Sequence, residues 1–111
     1  MGWFAFIDAL IIFRDPLTPE KEQEIRDIFI RLSHGQKDRI NYEDRDINGT
    51  VRRCLDIHFS FDYNRRQMLN IMHKIKHMAI LENGTYFEFF DVDDDTWSFT
   101  FMDGKFIEAG N

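Results

Sequence analysis

Residues 85–109 read TYFEFFDVDDDTWSFTFMDGKFIEA. Aromatic side chains recur there with period two, and short acidic or glycine-containing turns interrupt them. That spacing predicts an antiparallel meander: Thr85 to Val92, Thr96 to Met102 and Lys105 to Ala109. Phe87 and Phe89 share one phase of the first of these strands. Tyr86, Glu88, Phe90 and Val92 share the other. An antiparallel sheet commonly leaves one face polar, so a second aromatic phase calls for a cover. If Phe87 and Phe89 face the core, with Trp97, Phe99 and Phe101 beside them, then Tyr86, Glu88, Phe90 and Val92 are the expected interface.

Upstream, Trp3 to Phe13 (WFAFIDALIIF) is apolar in both phases, as a central strand is, and Asp8 alone interrupts it. Thr18 and Pro19 begin a helix by capping and a fixed φ, with Glu20, Glu22 and Glu24 near its positive end. Ile25, Ile28, Phe29 and Leu32 form its apolar stripe and Gly35 closes it. Ile40 and Tyr42 alternate as in a short edge strand, and Asn48-Gly49 marks a hairpin turn. Leu55, Ile57, Phe59 and Phe61 then alternate with polar residues as a half-buried strand. Asp62 is the expected cap of a second helix, whose stripe is Met68, Ile71, Met72, Ile75 and Ala79. Asn83-Gly84 turns the chain into the meander.

The order β-α-β(β)-α-β-β-β predicts an α+β fold in one domain spanning residues 1–111. Its expected form is a two-layer sandwich: a mainly antiparallel sheet of about five strands, two helices on one face and a C-terminal three-stranded meander. The first part resembles the βαββαβ ferredoxin-like plan in element order, and the last strands depart from it.

The chain has 111 residues, enough for a core without disulfides or metals. Twelve Phe, three Tyr and two Trp are many for one small core, so some are expected at an interface or in a pocket. The net charge of −6 argues against nucleic-acid or anionic-membrane binding, which needs clustered cations. Charge is also unevenly spread. Tyr63 to Met78 carries Arg65, Arg66, Lys74 and Lys76 and no acid, whereas Glu82 to Asn111 carries eight acids against Lys105. The single Cys54 suits a reducing compartment, hence the cytoplasm. Trp3 to Phe13 is too short to cross a bilayer and no basic segment precedes it. Met1-Gly2 begins a myristoylation pattern that Phe6 breaks.

Several constellations invite a chemical reading. Asp91, Asp93 and Asp95 match the first ligand positions of a calcium loop, but Thr96 replaces the required glycine and Met102 the bidentate glutamate. Asp91, Asp93, Asp94 and Asp95 are therefore read as an acidic hairpin tip. His73 and His77 lie at i and i+4 on the polar side of their helix, without a third ligand in sequence. No metal or cofactor is expected. Asn48-Gly49-Thr50 and Asn83-Gly84-Thr85 fit the glycosylation pattern, and turn geometry accounts for both. Asp8 is the foremost ligand-binding candidate: buried without a partner, a carboxylate has a raised pKa, and Arg52, Arg53 or Arg65 are its possible partners. No nucleophile–base pair, phosphate loop or paired CxxC is present.

Two functions follow. The first is a non-enzymatic protein-interaction module, an acidic binding or inhibitor-type protein that self-associates as a homodimer through an aromatic sheet face. The alternative is a small-molecule binder or cofactor-free enzyme, with an apolar pocket between sheet and helices and Asp8, Tyr42 or His58 as its polar contact.

Overall fold

The computed structural model describes residues 3–93 and 95–110, the side chain of Trp3 excepted. Strand β1 spans Trp3–Phe13, helix α1 Pro19–Leu32, β2 Ile40–Ile47, β3 Thr50–Tyr63, helix α2 Arg65–Met78, β4 Tyr86–Asp91, β5 Thr96–Met102 and β6 Lys105–Gly110, with a 3₁₀ turn at Lys37–Arg39 before β2. The sheet is antiparallel throughout, in the order β2-β3-β1-β4-β5-β6. It has six strands, not the five expected, because Ile40–Ile47 is a full edge strand. Ile40 is buried, and the run Glu43-Asp44-Arg45-Asp46 keeps the exposed edge charged, as edge strands require. The first four strands follow the ferredoxin-like order, and β5 and β6 extend the sheet beyond β4.

The local signals act as their chemistry dictates. The Thr18 hydroxyl accepts from the Lys21 N–H at 3.1 Å, with Pro19 at the first helical position. Helix α1 ends at Leu32, and His34 and Gly35 turn left-handed at φ 56° and 95°. The second helix departs from expectation. Asn64, not Asp62, caps it by accepting from the Gln67 N–H at 3.0 Å. Asp62 pairs with Phe4 inside the β1–β3 ladder, because burial of Tyr63 under the helices carries the strand further.

Both helices cover one sheet face. Ala5, Ile7, Ala9, Ile11 and Phe13 of β1, Leu55, Ile57, Phe59, Phe61 and Tyr63 of β3, and Phe87 and Phe89 of β4 are buried there beneath Ile25, Ile28, Phe29, Met68, Met72 and Ile75. Phe89 is surrounded by four rings, with centroids at 6.2 Å for Phe61, 5.0 Å for Tyr63, 5.9 Å for Trp97 and 6.2 Å for Phe99. Most of the aromatic excess is thus core. At the end of the β1–β4 ladder the buried Thr85 hydroxyl accepts from the Ile12 N–H at 2.9 Å and donates to its carbonyl at 3.2 Å. A side chain there takes over from the backbone where strand pairing stops.

Candidate functional site

The face away from the helices carries the even phase of β1 (Phe4, Phe6, Asp8, Leu10, Ile12), of β3 (Cys54, Asp56, His58, Ser60, Asp62) and of β4 (Tyr86, Glu88, Phe90). It divides into three zones. At one end Leu10, Ile12 and Cys54 are buried as a second small cluster, with Ile47 of β2 and Tyr86 of β4 packed against it. Burial pushes the Tyr86 hydroxyl pKa up, and the nearby Asp8 and Asp56 charges add to that. Burial likewise raises the Cys54 thiol pKa, so it stays protonated and unreactive at neutral pH.

A polar row crosses the middle. Asp8 stands between His58 on β3 and Glu88 on β4. The His58 ring bridges two carboxylates: Nδ1 lies 3.0 Å from Asp8 Oδ1 and Nε2 lies 2.8 Å from Asp56 Oδ1. Arg45 of β2 continues the row, 3.6 Å from Asp56 and 2.5 Å from Glu43. Its hydrogen bond holds the Glu43 carboxyl pKa below the usual range. Glu88 makes no ion pair among the described residues.

The far end is aromatic and open. Phe6 stacks on Phe90 with centroids 5.5 Å apart, and Phe4 meets Phe6 edge-on at 5.7 Å. Phe4 is 48% and Phe6 38% exposed, and Val92, in the turn beyond β4, is 72% exposed. A hollow of about 270 Å³ runs between Phe6, Phe90, Asp8, His58 and the Gln36–Arg39 segment. Gln36 fixes that segment to the free edge of β3, its amide donating to the Ser60 carbonyl at 2.9 Å.

The structure therefore brings Asp8, His58, Glu88 and Phe90 onto one face. Tyr86 lies on it too, folded over the second cluster. Val92 sits just past the strand end. Tyr42 is elsewhere: it points to the helix side, where its hydroxyl donates to the Glu22 carbonyl at 2.8 Å and Arg53 lies over its ring at 5.2 Å. Asp8 is neither fully buried nor paired with an arginine; its partner is His58. In the acidic tip, Asp91 Oδ1 accepts from the N–H groups of Asp93 and Asp95 at 2.9 and 3.1 Å, so that carboxylate shapes the turn. Asp93 and Asp95 are exposed, and Asp94 lies outside the described residues.

Phe4, Phe6 and Asp56 were missed as site residues. The signal existed for two of them, because Phe4 and Phe6 share the phase of Asp8, and the phase holding a carboxylate is the one facing water.

Both His58 nitrogens thus face carboxylates, one on β1 and one on its own strand. His73 and His77, on the exposed side of α2, bring their Nε2 atoms to 3.3 Å. Among the described residues no group of three or more His, Cys, Asp or Glu is arranged to hold a metal ion. No helix among them is long and apolar enough to cross a membrane. Comparison of the chain with protein-family models, curated proteins and solved structures finds no match.

Proposed function

We propose that the protein is a non-enzymatic interaction module that docks a partner protein on the Phe4–Phe6–Phe90 end of its open sheet face. The observation that carries this reading is the exposed Phe4 and Phe6, with half-buried Phe90 stacked on Phe6, on the face the helices leave uncovered. Rings in that position serve as binding anchors, because closing over them removes apolar area from water at little cost in side-chain entropy. The rim is mainly acidic: Asp8, Asp62 and Glu88 border the rings on β1, β3 and β4, with Arg39 across the hollow. A partner surface with an apolar centre and basic surroundings complements it.

A second copy of the chain is the simplest apolar cover, and an isologous contact would make a homodimer. Two copies stacked face to face set acid rim against acid rim, which favours a basic partner over self. Sedimentation equilibrium of the wild type and of a Phe6→Ser/Phe90→Ser variant separates these. A dimer lost in the variant supports self-association. A monomer whose wild-type form captures a basic protein that the variant does not supports the hetero-partner. A monomer for which both forms retain the same proteins overturns the reading.

The hollow beside Asp8 and His58 supports a second reading, a small ligand carrying a cationic group. Its volume of about 270 Å³ lies just below the common range for ligand sites. Chemical-shift mapping with guanidinium- or amine-bearing aromatic fragments tests it, and no shifts at Asp8 and His58 would remove it.

A further inference from the structure

The basic stretch of α2 has a use that the sheet face does not account for. Helices α1 and α2 are separated on the outer side of the molecule by a groove of about 620 Å³. Its apolar floor is Ile28 and Leu32 of α1 and Ile71 of α2, and Arg31, Arg66 and Lys74 stand on its walls. No carboxylate among the described residues lines it.

That is unusual for a chain with 20 acidic residues and a net charge of −6. Elsewhere the arginines are engaged. Arg14 and Arg52 face Glu82, Arg45 holds Glu43, Arg53 holds Glu22, Arg65 holds Glu108, and Arg26 donates to backbone carbonyls. Arg31, Arg39 and Arg66 are the arginines whose side chains have neither an ion pair nor a hydrogen bond among the described residues, and two of the three flank this groove. Asp27, one turn before Arg31, accepts instead from Gln23 at 2.6 Å. Helix α2 has no acid anywhere between Arg65 and Met78. In an acidic protein, cations left unneutralised around an apolar floor mark a place where the balancing charge comes from outside.

From this we infer that the α1–α2 groove docks an acidic peptide segment of a partner protein, with apolar side chains on the Ile28–Leu32–Ile71 floor and carboxylates on Arg31, Arg66 and Lys74. The guanidinium forks match carboxylates in pairs. Arg66 and Lys74 are eight positions apart on α2, about 12 Å along a helix, which about four extended residues span. The groove is shallow and mixed in polarity, which suits a peptide better than an enclosed small molecule. The sheet face lies on the opposite side of the molecule, so the two surfaces are separable.

The test is an amide chemical-shift titration of the full chain. The probe is the heptapeptide acetyl-Glu-Glu-Leu-Phe-Leu-Asp-Glu-amide; the control has Gln and Asn in place of its acids. The acidic peptide is expected to shift amides of Leu32, Arg66 and Ile71, and to bind at least about tenfold more tightly than the control. Arg31→Glu/Arg66→Glu is expected to abolish the difference while leaving the melting temperature and any Phe6-dependent association unchanged. Arg31→Lys/Arg66→Lys keeps part of it. Equal binding of the two peptides, shifts confined to the Phe6–Phe90 face, or undiminished binding by the charge-reversed variant would overturn the proposal. So would tighter binding to phosphatidylserine vesicles or to an oligonucleotide than to the acidic peptide.

Discussion

Phe6 and Phe90 stack across the β1–β4 ladder with ring planes inclined by only 21°, on the side of the sheet where no helix covers them. Each ring shields one face of the other; Phe6 remains 38% exposed and Phe90 is half-buried. The pair is therefore worth little to folding. Phe6→Ser is expected to lower unfolding stability by no more than about 1.5 kcal/mol, the scale of one aromatic pair. Urea denaturation measures this, and a loss twice as large would place Phe6 in the core.

One strand position away the balance reverses. Phe89 is fully buried among four rings, and its removal leaves a cavity that rigid neighbours fill poorly. Phe89→Ala is expected to cost about 3–5 kcal/mol. Against a typical total of ~5–15 kcal/mol that leaves a marginal fold. Calorimetry should show a steep fall in melting temperature; a small shift would mean that the surrounding rings collapse into the space.

The Thr85 hydroxyl serves both backbone groups of Ile12 from a fully buried position. Thr85→Val keeps the shape and deletes both bonds, leaving the Ile12 N–H unsatisfied while the Ile12 carbonyl still accepts from the Glu82 N–H at 2.8 Å. The expected cost is about 1–3 kcal/mol. Hydrogen exchange should accelerate locally at Ile12, and exchange that stays slow there would show another group taking the bond.

Burial raises the Tyr42 hydroxyl pKa well above its ordinary value of 10.0, the Glu22 charge adding to the effect. A raised folded-state value contributes stability that is complete below the unfolded pKa and is lost as pH climbs past it toward the folded value. The wild type should therefore weaken from about pH 10 upward. Tyr42→Phe should be less stable at neutral pH, by about 1 kcal/mol for the hydrogen bond to Glu22, but flatter with pH. Melting temperatures between neutral and alkaline pH check both, and parallel curves would exclude Tyr42 as the titrating group.

At the acid end, the Arg65 hydrogen bond holds the exposed Glu108 carboxyl pKa below its usual range. A lowered value contributes stability above the unfolded pKa that disappears as pH falls through the folded one. The pair is solvent-screened, so the effect is small and salt-sensitive. Glu108→Gln should flatten the acid limb slightly at low salt and not at high salt, and a difference that persists at high salt would mean another group carries it.

Much of the architecture was legible in the sequence because it rests on local rules. Period-two alternation placed the meander, and a cap, a proline and an apolar stripe placed α1. Where two local signals competed, tertiary packing chose. Asp62 and Asn64 are both good caps, and burial of Tyr63 selected the later one. Ile40–Ile47 read weakly because an edge strand beside water keeps charges, and pairing with β3 alone makes it a full strand. The site was legible in part. Glu88 and Phe90 could be assigned to the second phase of their strand and Asp8 singled out as a candidate, whereas their meeting with His58 depends on β3 and β4 flanking β1, a relation between residues far apart in the chain.

The sequence by itself thus determined which residues alternate, which stripes are apolar and where charge of one sign gathers, since these properties follow from spacing and side-chain chemistry. Only the tertiary structure decided what each face meets. The strand order sent Tyr42 to the helix side and Asp8 to the open side, stacked Phe6 on Phe90, and set Arg31 across a groove from Arg66. The physical reason is that a strand's phase fixes two opposite faces without naming them. Which face is covered is settled by where the helices lie, and that is a property of the assembled sheet.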